Sequence, residues 1–255
     1  MADEAADGDG GGSGRPSTLS LVAGAIVVAV AVVVGGALVV SSDIGDVISG
    51  RDRHELDVAL VGDSFADQAR AGFLELAEEH GLDAEVFAYG GTAICGWNDQ
   101  LRRLARREPD VLVLSFAGND LQPCINPARQ TRAPETVAAD YGRQLEGVLE
   151  MFRSTGTDLY VVEPPPIRDA EYEARAAAMR ELYRRMSLDH PRIDVIETED
   201  RLGPDGEFHA ALPCQEGEEG CRPDGTVVLR QSDGIHLTPA GGRRYAQAVF
   251  DVLER

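Results

Sequence analysis

The sequence predicts an α/β domain, a three-layer αβα sandwich around a five-stranded parallel sheet, preceded by one transmembrane helix. Three observations lead there. Between residues 56 and 255, five short apolar runs alternate with amphipathic stretches. That alternation implies parallel strands with helices packed on both faces. Ahead of them, residues 21–40 contain no polar side chain at all. Finally, 43% of the 255 residues are hydrophobic, enough for a real core, which excludes wholesale disorder.

Taken in order, residues 1–18 are dominated by Asp, Glu, Ala, Gly and Ser, with Arg15 the only cation. Such a segment buries too little apolar surface to offset its ordering entropy and reads as a disordered acidic tail. Residues 19–41 read as the transmembrane helix. At about 1.5 Å per residue, the apolar run covers the roughly 30 Å hydrocarbon core of a bilayer. A buried strand would be far shorter. A cleaved signal peptide would have a basic lead, a shorter apolar region and a small-residue cleavage site. Here the lead is acidic and Leu38-Val39-Val40-Ser41 is a poor cleavage site, which favours an uncleaved anchor. Residues 42–55 form a linker. Arg51 and Arg53 after the span outnumber Arg15 before it, which leans toward a cytoplasmic C-terminal domain. The cysteines below argue the opposite and carry more weight.

The domain proper spans residues 56–255, without internal repeats. Buried strands are expected at 57–61, 85–88, 111–116, 159–162 and 193–196, each a short apolar run. Helices are expected near 65–80, 97–107, 135–154, 170–187 and 239–253. In such a sheet, functional residues gather at the carboxyl ends of the strands. Those ends carry Gly62-Asp63-Ser64, Tyr89-Gly90-Gly91-Thr92 and Gly118-Asn119-Asp120, and Asp233-Gly234-Ile235-His236 precedes the last helix.

A serine at a strand-to-helix turn is accessible but weakly nucleophilic, so Ser64 needs a base. His236 is the candidate, because imidazole accepts and returns protons near neutral pH. Asp233, three residues earlier, can turn back onto the ring and fix its tautomer. Taken singly, each group has a bland reading: Ser64 a helix cap, Asn119 and Asp233-Gly234 turns, His236 a surface residue. Their joint occurrence at the expected strand ends decides for catalysis. His54, His80, His190 and His209 show no metal-ligand spacing, so neither metal nor cofactor is expected. Arg102, Arg103, Arg106 and Arg107 recur at helical spacing and read as a solvated face. A net charge of −20 excludes nucleic-acid binding as a main task.

These blocks, in this order, resemble the SGNH (GDSL-type) hydrolase superfamily over roughly residues 56–253. The resemblance implies a flavodoxin-like sheet and a Ser64–His236–Asp233 triad. It also implies an oxyanion hole made of the backbone N–H groups of Ser64 and Gly90 and the side-chain amide of Asn119. Gly91 competes with Gly90 for the glycine role. The asparagine often found two residues before that glycine is Ala88 here. Glu163-Pro164-Pro165-Pro166 resembles a proline-rich loop that borders the site in some members, although a stiff loop is the commoner role. The stretch Gly91–Trp97 and the stretch Asn119–Cys124 further resemble envelope-anchored SGNH proteins of high-GC Gram-positive bacteria.

Cys95, Cys124, Cys214 and Cys221 form no CxxC pair. Behind a membrane span they suggest two disulfides and an oxidising, extracytoplasmic compartment. Of three pairings, Cys95–Cys124 and Cys214–Cys221 are expected: the first ties two active-site loops, the second closes a short acidic loop. The rival reading is four buried thiols. Together these readings predict a membrane-anchored serine esterase acting on O-acyl, chiefly O-acetyl, esters of cell-envelope glycans. An acyltransferase in the membrane is an implied partner. The alternatives are an O-acyltransferase with the same triad and a catalytically silent envelope-binding module.

Overall fold

Each of the five apolar runs is a strand in the computed structural model, which describes residues 56–254. They are β1 (Asp57–Gly62), β2 (Asp83–Ala88), β3 (Val111–Ser115), β4 (Asp158–Val162) and β5 (Ile193–Ile196). All pair in parallel, in the order β2-β1-β3-β4-β5. Inner strands β1 and β3 are buried almost throughout, which is why they read as unbroken apolar runs. Edge strand β2 begins two residues earlier than the sequence suggests. Its start, the charged Asp83 and the small Ala84, pairs with Asp57 and Val58 on a half-exposed edge, so it carries little apolar signal.

The helices are α1 (Ser64–Glu79), α2 (Asn98–Arg107), α3 (Pro134–Met151), α4 (Ala170–Asp189), α5 (Glu199–Leu202) and α6 (Pro239–Leu253). Their starts are chemically marked. Asp63 caps α1, Asp169 caps α4, and Thr238 caps α6 ahead of Pro239 in its first turn. Strand residues alternate between the two faces of the sheet. Val58, Leu60 and Val113 pack with Phe65, Phe73, Tyr245 and Phe250 of α1 and α6. Ala59, Val61, Leu112 and Leu114 pack with Leu101, Tyr141, Leu145, Met179 and Tyr183 of α2, α3 and α4. With α1, α6 and the short α5 on one face and α2, α3 and α4 on the other, the predicted sandwich is complete.

The short α5 and a second, small sheet have no counterpart in the sequence reading. β6 (Ala211–Pro213) and β7 (Thr226–Val228) pair antiparallel as a separate small sheet. Three-residue strands, one ending in proline, leave no periodicity to read. The Cys214–Cys221 disulfide closes the loop between them, and Cys95–Cys124 joins the segments after β2 and β3. Both expected pairings are therefore formed, and no cysteine is free. The acidic tail 1–18, the span 19–41 and the linker 42–55 lie outside the described residues. Among the described residues, no helix is long and apolar enough to cross a membrane.

Candidate active site

From β1 the chain turns to one side for β2, while β3 lies on the other side. This is a topological switch point, where a crevice opens above the carboxyl ends of the strands. Gly62 ends β1 in tight quarters: a Cβ there would lie 2.4 Å from Ser115 O, so only glycine permits the approach of β1 to β3. The next residue, Asp63, donates its backbone N–H to Ser115 O at 3.0 Å. Its carboxylate, wholly buried, caps α1 by accepting from Phe65 N at 3.1 Å. The other carboxylate oxygen accepts from Ala117 N and from Asn119 Nδ2, both at 2.8 Å. Burial pushes the Asp63 carboxyl up to about 6, against the N–H donors of Ala117 and Phe65, the Asn119 amide and the charge of a protonated His236. One acidic side chain thus ties the turn that carries Ser64 to the asparagine of the third block.

Ser64 is the first residue of α1 and stays partly exposed. A Cβ built on Gly90 would lie 3.7 Å from the Ser64 Cβ, so the glycine at the end of β2 abuts the serine. Gly91 instead takes a left-handed φ of +75°, with Leu121 nearby. Of the two competing glycines, Gly90 lies beside Ser64 and Gly91 makes the turn. The loop is stitched down. Thr92 Oγ1 lies 2.7 Å from Tyr89 O and 3.2 Å from Gly62 O, and it accepts from Trp97 Nε1 at 3.0 Å. Gln122 Oε1 accepts from Ala93 N at 3.0 Å, beside the Cys95–Cys124 bond.

The fourth block sits on the loop before α6. Asp233 Oδ1 accepts from Ile235 N at 2.9 Å and His236 N at 3.0 Å, while Oδ2 lies 2.7 Å from His236 Nδ1. Partial burial works against ionisation, but the amides of Ile235 and His236 and the imidazole outweigh it and hold Asp233 down to about 2. The loop is aligned with the serine by Leu237 N, which donates to Gln68 Oε1 at 2.8 Å. Gln68 stands one turn beyond Ser64 on the same helix face. Arg168 braces the other side, its N donating to Gly234 O at 3.1 Å and its Nη2 to Ser232 O at 2.5 Å. The Ser64 hydroxyl makes no hydrogen bond to His236; such contacts commonly tighten only in the substrate complex.

Beneath the β3 end lies a set of groups that the sequence reading missed. Three buried tyrosines reach up from three helices. Tyr141 of α3 donates to Asn119 O at 2.8 Å, Tyr183 of α4 donates to Phe116 O at 2.6 Å, and Tyr245 of α6 lies 2.8 Å from Ser115 Oγ. Asp63 was visible in the sequence only as part of the Gly-Asp-Ser block, and the tyrosines only as members of helical apolar stripes. Arg102, Arg103, Arg106 and Arg107 are exposed, as the helical spacing suggested. Arg102 pairs with Asp99 at 2.8 Å and Arg107 with Asp57 at 3.0 Å on an exposed face. His80 pairs with Glu254 at 2.7 Å. Pro164, Pro165 and Pro166 are buried, and two of their carbonyls accept from Arg180 and Arg230, both at 3.0 Å. A cavity of about 660 Å³ lies elsewhere, between α1, α6 and the 215–220 loop, and none of the site residues lines it.

The parallel sheet in this order, with helices on both faces, has the fold of the SGNH (GDSL-type) hydrolases. Solved structures bear this out. LAE5, an α/β hydrolase enzyme from the metagenome of Lake Arreo, matches with a TM-score of 0.54 at 14% identity, over 78% of this chain and 95% of that one. A catalytic mutant of Axe2, an acetylxylan esterase from Geobacillus stearothermophilus, gives 0.53 at 14%, over 77% and 93%. A GDSL-like lipase from Bacteroides thetaiotaomicron gives 0.53 at 10%, over 78% and 87%. The chain itself belongs to the family described as "Protein of unknown function (DUF459)", whose model matches residues 57–252. No curated protein matches it.

Proposed function

We propose that the protein is a serine esterase that removes O-acyl groups, acetyl above all, from saccharides of the cell envelope. The observation that carries this reading is the His236–Asp233 pair, at 2.7 Å, on a loop aligned with the Ser64 helix. In the proposed cycle, Ser64 Oγ attacks the ester carbonyl while His236 Nε2 takes its proton. Asp233, at Nδ1, fixes the tautomer and stabilises the imidazolium. The tetrahedral oxyanion is received by the backbone N–H groups of Ser64 and Gly90 and by the Asn119 amide. One Asn119 N–H is engaged by Asp63, which leaves the other for the oxyanion. The alcohol departs with the proton from His236. Water, deprotonated by the same imidazole, then attacks the acyl-enzyme, releasing the acid and restoring Ser64.

The apolar run 21–40 and the two disulfides support a membrane anchor with the catalytic domain in an oxidising, extracytoplasmic space. Acetylxylan esterases among the proteins of like fold agree with an acetyl-ester substrate. The test is hydrolysis of p-nitrophenyl acetate by the full chain and by Ser64→Ala. Turnover lost in the variant is expected; equal rates would refute the reading. Acetyl transfer to an added oligosaccharide at the expense of acetate release would redirect it to an O-acyltransferase.

A further inference from the structure

Five large hydrophobic side chains are exposed among the described residues, and two of them stand on the loops that follow β2 and β3. Tyr89, 70% exposed, immediately precedes Gly90 at the end of β2. Leu121, 68% exposed, follows the Asn119-Asp120 pair beyond β3, and its Cδ1 lies near Gly91. Each leaves apolar surface in water, yet neither loop is slack. Tyr89 N donates to Gly62 O at 3.3 Å, and Tyr89 O lies 2.7 Å from Thr92 Oγ1. The two loops are joined by Cys95–Cys124 and by the Gln122–Ala93 hydrogen bond. A rigid backbone that holds an aromatic ring out into solvent is preorganised for contact, because little entropy remains to be lost on binding.

We infer that Tyr89, with Leu121, forms the platform for a neutral saccharide ring bearing the scissile ester. This rests on the esterase reading above and names the group that contacts the sugar. Tyrosine offers an apolar face and a hydroxyl edge, which match the C–H face and hydroxyl rim of a pyranose. A long acyl chain would instead need an enclosed aliphatic groove, whereas Tyr89 and Leu121 are both open to solvent. A net charge of −20 opposes an acidic polysaccharide and favours a neutral one.

The experiment compares the full-chain wild type with Tyr89→Ala, Tyr89→Trp and Leu121→Ala, with Leu188→Ala as a control for loss of a distant exposed side chain. Substrates are acetylated xylo-oligosaccharide, p-nitrophenyl acetate and p-nitrophenyl octanoate. Tyr89→Ala is expected to raise KM for the oligosaccharide about tenfold more than for p-nitrophenyl acetate, with kcat little changed. Leu121→Ala should do so less, and Tyr89→Trp should restore the wild-type KM. Equal effects on both acetates, or a selective loss on the octanoate, would overturn the proposal. Calorimetric binding of the oligosaccharide to Ser64→Ala, with and without Tyr89→Ala, separates the two readings. Weaker binding in the double variant supports the platform even if no variant hydrolyses an ester. Unchanged binding beside intact Ser64-dependent hydrolysis removes the platform and leaves the esterase.

Discussion

The two halves of the site are built differently. On the Ser64 side, Asp63 is wholly buried, and its carboxylate is surrounded by three N–H donors that hold the ends of β1 and β3 together. On the His236 side, Asp233 and His236 stand on a surface loop, their side chains 41% and 36% exposed, and are held by short-range hydrogen bonds. Burial raises the first carboxyl to about 6, and hydrogen bonding lowers the second to about 2. The groups proposed to receive the oxyanion are thus fixed in the fold, and the proposed base keeps its access to water. In the proposed cycle, rigidity would serve charge stabilisation by preorganisation, and exposure would serve proton exchange.

The largest expected effect tests the rigid half. Asn119→Ala should lower kcat on p-nitrophenyl acetate by about 10²- to 10³-fold with little change in KM, the cost of one oxyanion donor. A fall below tenfold would mean that the Asp63–Asn119 hydrogen bond serves the fold alone.

The disulfides divide the same way. Cys95–Cys124 closes a separation of 29 residues between the site loops, and Cys214–Cys221 one of 7 residues elsewhere. Replacing both cysteines of the first by serine should cost about 3.6 kcal/mol and also reduce kcat; the second should cost about 2.5 kcal/mol with kcat retained. Denaturant unfolding and p-nitrophenyl acetate kinetics would measure both, and equal loss of kcat in the two variants would break the comparison.

The two aspartates should leave opposite marks on stability. Asp63 titrates near 6 in the fold against 3.8 in the unfolded chain. Its contribution is therefore present below about 3.8 and is lost as the pH rises through about 6, a change of about 3 kcal/mol at 1.36 kcal/mol per unit. Asp233, near 2 in the fold, contributes above its unfolded pKa, and that contribution is lost as the pH falls toward 2. In urea unfolding, the stability of wild type relative to Asp63→Asn should fall from pH 4 to pH 6.5. Relative to Asp233→Asn, it should instead fall below pH 4. Flat differences would refute the assignment.

The smallest effect concerns the support beneath the site. Tyr141→Phe removes the donor to Asn119 O and should cost about 1 kcal/mol of stability. It should also lower kcat severalfold in wild type but not in an Asn119→Ala background. Equal loss in both backgrounds would mark the tyrosine as structural only.

How far the sequence reaches follows from what each residue's signal is. Inner strands β1 and β3 were legible because burial on both faces leaves only apolar residues. Edge strand β2 was legible only past its first two residues, and β6 and β7 were too short to show a period. Ser64 and Asn119 stood out in blocks at strand ends and Asp233 and His236 in a block before the last helix, and the structure joins the last two. The roles of Asp63 and of Tyr141, Tyr183 and Tyr245 were not. A buried carboxylate and three tyrosine hydroxyls acquire their partners from segments up to 130 residues apart, which no local pattern encodes. The resemblance favoured Gly90 over Gly91, and the backbone puts Gly90 beside the Ser64 Cβ and Gly91 in a left-handed turn.

The central claim is that Ser64 is a nucleophile activated by His236, and fluorophosphonate labelling tests it most directly. Peptide mapping of the labelled wild-type protein should find the phosphonyl adduct on Ser64, with labelling abolished in Ser64→Ala and strongly slowed in His236→Ala. Labelling of another residue, or of Ser64 at the same rate without His236, would contradict the account.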